Sequence, residues 1–186
     1  MNSLNLVQIL LSLSLIGLVS CTPRSDAPGQ PDRVARGKYL VQATGCSDCH
    51  TPHDHTGAPI QGKELIGHPE NEPLPSWDAS QLAKHSVAAV GHTATAFASP
   101  LGVSVAANLT PDMETGIGKL TAEALITSWR TGRHWQQDRP VLPPMPVESL
   151  RNLNDEDIRA IHAYLMSLAP VRNRVPDPKP APVQQN

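Results

Sequence analysis

The sequence predicts a mainly α-helical domain that carries a long irregular insertion with a small β-hairpin in it. The helices are predicted by apolar residues recurring at one-turn spacing near residues 32–44, 121–131 and 154–168, each stretch bounded by residues that start or stop helices. The insertion is predicted by the contrast between Thr51 and Ala107, where six prolines and weak periodicity leave no long regular element.

In the first helix, Asp32 to Thr44, Val34, Leu40 and Val41 fall near one face and Gly45 is a stop. In the second, Thr121 is a cap, Leu125, Ile126 and Trp129 recur at turn spacing, and Gly132 ends the run near Thr131. In the third, Asn154 is the cap and Asp155, Glu156 and Asp157 fill the first turn, where the helix dipole favours negative charge. Ile158, Ile161, Leu165 and Leu168 line one face of that helix before Pro170. Within the insertion, Asp78 to Val90 reads as a short helix. Ser99-Pro100-Leu101-Gly102 has turn chemistry between Thr95–Ala98 and Val103–Ala106, which is the expected hairpin.

Both ends differ from this domain. Met1 to Ser20 has no charged side chain, and most of Leu4 to Val19 is apolar, which reads as an export signal rather than structure. Leu18-Val19-Ser20-Cys21 resembles a bacterial lipobox, implying removal of residues 1–20 and lipidation of Cys21. The leader has no Lys or Arg, and an uncleaved anchor or an ordinary secretory signal stays open. Residues 21–30 read as a tether, 31–171 as the domain, and 172–186 as a Pro-rich disordered tail. The expected location is the periplasmic side of a bacterial membrane, lipid-anchored, or else soluble periplasm. Fifteen basic and seventeen acidic side chains, with no basic run, exclude a nucleic-acid partner.

Immediately after the first helix comes Cys46-Ser47-Asp48-Cys49-His50, a CxxCH pentapeptide that reads as a c-type haem attachment site. Two thiols at this spacing can each add to a vinyl group on one porphyrin edge, and the following imidazole is an iron ligand. A redox-active CxxC and half of a zinc site remain as alternatives, with His53 and His55 close by and flanking Asp54. The three cysteines then divide without remainder, Cys21 to lipid and Cys46 and Cys49 to thioether bonds, with one CxxCH implying one haem.

His50 supplies one axial position. For the other, Met113 lies in a turn and Met166 inside the last helix, where packing is the expected role. Met145 is different. Pro143-Pro144-Met145-Pro146 is an extended strap in which proline fixes the backbone, suited to presenting a thioether without a helix or sheet behind it. His134, in the preceding loop, is the rival.

A helix before CxxCH, a Pro-flanked methionine far downstream and a final helix resemble a class I cytochrome c. Asn108-Leu109-Thr110-Pro111-Asp112, Glu114-Thr115-Gly116-Ile117-Gly118, Arg130-Thr131-Gly132-Arg133-His134 and Pro143-Pro144-Met145-Pro146 resemble, more closely, the cytochromes associated with bacterial alcohol and sugar dehydrogenases. The resemblance covers about Pro31 to Val171 and implies that Gly37 of the first helix packs against Tyr164 of the last. It implies a backbone carbonyl as partner of the second His50 ring nitrogen, for which the turn Gly57-Ala58-Pro59 is the nearest place. Arg130, Arg133, Trp129 and Asn108 become candidates for the haem propionates.

The expected function is one-electron transfer by an iron closed with His50 and Met145, not enzymatic catalysis. The expected partners are a dehydrogenase as donor and an oxidase or another cytochrome as acceptor. A haem enzyme or gas sensor with an open sixth site is the alternative.

Overall fold

The computed structural model describes residues 29–74, 76–85 and 87–180. Among the described residues, six helices and four strands follow one another: α1 (Gln30–Ala43), α2 (Cys46–His50), α3 (Ala79–His85), β1 (Ala89–Val90), β2 (Ala96–Ser99), β3 (Gly102–Val105), α4 (Ala122–Thr131), α5 (Val147–Leu150), α6 (Asp155–Met166) and β4 (Lys179–Pro180). Among the described residues no helix is long and apolar enough to cross a membrane.

Two of the three long helices, α4 and α6, begin where a side chain supplies a missing acceptor. Thr121 Oγ1 accepts from the Ala124 N–H at 3.1 Å, and Asn154 Oδ1 from the Asp157 N–H at 2.8 Å. At the start of α1, Pro31 occupies a first-turn position whose N–H would have no helical partner. α1 and α4 both pack on α6. Leu40 and Val41 of α1, Leu125, Ile126 and Trp129 of α4, and Ile158, Ile161 and Leu165 of α6 belong to one buried cluster, which Leu65, Ile117, Leu120 and Leu150 extend.

The α1–α6 crossing depends on Gly37. A Cβ built there would collide with the Ala160 carbonyl oxygen and lie 2.8 Å from Tyr164 Cβ, so only a glycine lets the backbones approach this closely. The pairing of Gly37 with Tyr164 implied by the resemblance is therefore present. Arg36 seals the rim of the crossing, with Nε 2.9 Å from Asp157 Oδ1.

The insertion holds more order than its composition suggests. β2 and β3 form the expected hairpin, with Phe97 opposite Ser104 and Ser99 opposite Gly102. Both outer strands come from outside it: β1 pairs with β2, and β4 pairs with β3, giving the antiparallel order β1-β2-β3-β4. The helix expected over 78–90 is confined to α3, and Val90 belongs to β1 instead.

The tail expected from residue 172 is corrected as far as Pro180. Proline keeps it out of a helix but not out of contact. Asn173 is 5% exposed, its Nδ2 donates to the carbonyls of Ile66 and His68 at 2.7 and 2.9 Å, and its Oδ1 accepts from the Glu70 N–H at 2.8 Å. Lys179 and Pro180 then join the sheet edge, where proline's missing donor is tolerated. Residues 181–186, the leader at 1–20, Cys21 and most of the tether lie outside the described residues.

Candidate haem-attachment site

α2 is a single helical turn made of the CxxCH motif itself. Positions three and four apart share a helix face, so Cys46, Cys49 and His50 fall on one side of this turn. The turn stops at Thr51, whose backbone is extended, as expected before Pro52. Cys46 and Cys49 are free thiols, both half-buried, and Cys46 packs against the main apolar cluster. Burial raises both thiols above their ordinary value, with the Thr44 hydroxyl opposing the effect at Cys46 and Asp48 adding to it at Cys49. A redox-active CxxC requires the reverse, a thiolate stabilised near neutral pH.

His50 is 8% exposed, and burial holds its imidazole below the ordinary value, partly offset by a hydrogen bond to a backbone carbonyl. That carbonyl belongs to Ala107, with Nδ1 to oxygen at 2.8 Å, and not to the turn Gly57-Ala58-Pro59. The turn closes on Asp54 instead, through Asp54 N–H to Ala58 O at 2.9 Å and Gly57 N–H to Asp54 O at 3.0 Å. With Nδ1 carrying its proton toward Ala107, Nε2 is left with its lone pair, the form in which an imidazole ligates iron.

The approach of Ala107 to His50 passes through Gly67. Gly67 N–H donates to the His50 carbonyl at 2.8 Å, and His68 N–H to the Ala106 carbonyl at 3.0 Å. At φ +76, a Cβ on Gly67 would lie 2.5 Å from the Ala106 carbonyl oxygen and 2.6 Å from that of Ala107. The sequence reading missed both residues. Ala107 acts through a backbone atom with no side-chain signature, whereas Gly67 was visible as a glycine inside a stretch of otherwise weak pattern.

The strap 143–146 lies between α4 and α5. Met145 is half-buried and packs against the same apolar cluster as Cys46. Ser104 of β3 donates from Oγ to the Pro143 carbonyl at 2.6 Å. Met113 is 58% exposed, and Met166 packs on the core from α6. His134 is half-buried, and its Nδ1 accepts from the N–H groups of Gln136 and Gln137, both at 3.2 Å. Those bonds put the ring proton on Nε2.

The other polar candidates have structural partners. Arg130 donates to the carbonyls of Arg151 and Leu153 and to Asp155, tying α4 to the start of α6. Arg133 pairs with Asp138, and Trp129 is buried in the core. Asn108 is 2% exposed and binds Thr110 and the Val171 carbonyl. None of these contacts needs a propionate. His53 and His55 flank Asp54, but among the described residues no group of three or more His, Cys, Asp and Glu side chains is placed to hold a metal ion.

The residues present fit a covalent haem. Two free thiols and a tautomer-fixed imidazole share one face of α2, and Cys46 and a half-buried thioether adjoin the same apolar core.

No protein-family model matches the chain. It is 38% identical over 116 residues, 54% of its length, to a nicotinate dehydrogenase subunit from Pseudomonas putida, of which it covers 10%. It is 29% identical over 147 residues, 77% of its length, to the cytochrome c subunit of alcohol dehydrogenase (quinone) of Gluconobacter oxydans, covering 24% of that protein. It is 28% identical over 158 residues, 84% of its length, to the gluconate 2-dehydrogenase cytochrome c subunit of Pantoea cypripedii, covering 28%. The chain thus spans between 10% and 28% of the length of these relatives. It is similar to the cytochrome c subunits of alcohol, gluconate and fructose dehydrogenases.

Proposed function

We propose that this chain is a one-electron carrier holding a single haem c, bound through Cys46 and Cys49 and ligated by His50 and Met145. The observation that carries the reading is the His50 ring, buried and bonded through Nδ1 to the Ala107 carbonyl at 2.8 Å, on the same helical turn as two free thiols. When bound, the haem supplies a one-electron couple at iron. His50 keeps its orientation and tautomer through Ala107. Met145 offers its thioether from a strap whose prolines limit its freedom, and methionine ligation favours a raised potential. His134 is the weaker ligand, because Nε2 is free for iron only if its proton moves to Nδ1 and both backbone bonds are lost.

The relatives support a dehydrogenase as electron donor. An oxidase or another cytochrome is the acceptor we propose, as the raised potential of a methionine-ligated haem suits. Cys21 in the sequence Leu18-Val19-Ser20-Cys21 supports lipid anchoring on the periplasmic side of a membrane. Two or more acyl chains there would give a stable anchor, since each buried methylene contributes about 0.8 kcal/mol.

The protein expressed with a cytochrome c maturation system should keep its haem through acid-acetone extraction, and Cys46→Ala with Cys49→Ala should lose it. Haem extracted from the wild-type protein would defeat the proposal. Metabolic labelling with a radioactive fatty acid should mark the wild-type chain and leave Cys21→Ala unmarked.

A further inference from the structure

The strap around Met145 is poor in backbone donors. Prolines at 143, 144 and 146 have no N–H, so within 143–146 only Met145 can donate, and its N–H turns back to the Leu142 carbonyl at 3.3 Å. Such a segment can be fixed only through its acceptors. The Met145 carbonyl accepts from Val147 N–H at 2.9 Å, and the Pro146 carbonyl from the N–H groups of Ser149 and Leu150, both at 3.0 Å. These bonds are local and fix the strap to α5. Among the described residues, the one hydrogen bond reaching 142–146 from a distant part of the chain is Ser104 Oγ to the Pro143 carbonyl, at 2.6 Å.

Ser104 is 9% exposed and sits on β3, held between β2 and β4. A hydroxyl so enclosed costs free energy unless it is bonded, so it favours the strap position in which Pro143 is within reach. Three residues further along the same chain, Ala107 bonds the His50 ring. The inner strand β3 and its exit thus hold the His50 ring directly and the Met145 strap through Pro143.

We propose that Ser104 is a positioning residue for Met145: its hydroxyl anchors the strap from the sheet side and keeps the thioether against the iron. This rests on Met145 being the axial ligand. Loss of the anchor would leave the haem attached and His50 in place, while letting the strap swing away more readily.

The test is imidazole binding to the ferric, haem-loaded protein, because imidazole competes with the native sixth ligand. Ser104→Ala should bind imidazole about fivefold more tightly than wild type, the size of one ordinary neutral hydrogen bond. Ser104→Thr, which keeps the hydroxyl, should return to within about twofold of wild type. Ser99→Ala serves as a hairpin control, since Ser99 Oγ accepts from the Leu101 N–H at 3.1 Å in the β2–β3 turn, away from the strap. It should leave imidazole affinity unchanged even if it lowers the unfolding midpoint. The proposal is overturned if Ser104→Ala binds imidazole as wild type does, if threonine does not rescue, or if Ser99→Ala shifts the affinity equally. Where the alanine variant does not accumulate, Ser104→Cys, of similar size and a weak donor, should shift affinity in the same direction, and no shift overturns the proposal. A Met145→Ala spectrum run beside these separates the failures. If it matches wild type, the ligand assignment has failed and takes the anchor with it; if it changes while Ser104→Ala does not, the anchor alone has failed.

Discussion

In the helical half, order comes from elements close to self-sufficient: α4 and α6 have side-chain caps and α1 a first-turn proline, all three have apolar faces, and α1 and α6 meet at one glycine. In the insertion, order comes from bonds between segments far apart in the chain. Asn173 reaches Ile66 and His68, Ala107 reaches His50, and Ser104 reaches Pro143. The helices carry the CxxCH turn proposed to attach the haem, and the insertion orients the groups around it. A core built from helix packing tolerates little change in shape, whereas a region held by a few buried polar bonds can loosen while the core stays folded.

The largest expected effect is in the helical half. Gly37→Ala places a methyl group against the Ala160 backbone, where no flexible side chain can yield, so α1 and α6 must separate. Destabilisation of roughly 3 kcal/mol or more is expected, as for severe overpacking, with the whole domain affected. Urea unfolding followed by far-UV circular dichroism measures it; a loss below about 1 kcal/mol would show that the crossing is looser than described.

Asn173→Ala tests the other half. Removing its side chain strands two carbonyls and one N–H, costing about 3 kcal/mol if none finds water. Hydrogen exchange should quicken at Gly67 and His68 while amides of α1 and α6 keep their protection. Uniform loss of protection would mean that the two regions unfold as one.

How much of this was legible in the sequence follows the same division. Thr121, Asn154, Gly132 and the apolar spacing marked α4 and α6 because helix signals are local, and Ser99 to Gly102 marked the hairpin for the same reason. CxxCH and the proline-flanked Met145 stood out as candidates because such residue patterns have few other uses, and their haem roles are proposals. β1 and β4 were not, being two residues each and formed only by pairing. The packed tail was hidden because proline content suggests disorder, and one buried asparagine carries no pattern. The resemblance to class I cytochromes suggested a carbonyl for His50 but not its place: Ala107 lies 57 residues away along the chain.

The smallest expected effect is at the loop joining the two regions. The Asp112 carboxylate accepts from the Thr115 hydroxyl and N–H, both at 2.7 Å, and from the Glu114 N–H at 3.1 Å, which holds its carboxyl below the ordinary range. The unfolded chain therefore takes up this proton at a higher pH than the folded one. The stabilisation is present above about pH 3.9 and is lost as pH falls through the folded value. Asp112→Asn should be less stable than wild type at neutral pH, and the gap should shrink on acidification below about pH 4, as read by urea midpoints across pH. A gap that is constant with pH would leave the carboxylate charge without a role.

The most direct test of the electron-carrier account is the sixth iron ligand, read from the absorption spectrum of haem-loaded Met145→Ala beside wild type. Wild type should be low-spin in both oxidation states and slow to bind carbon monoxide when reduced. Met145→Ala should become high-spin and bind carbon monoxide readily, with the haem still covalently attached. A variant spectrum identical to wild type, or a reduced wild-type protein that binds carbon monoxide at once, would contradict the account.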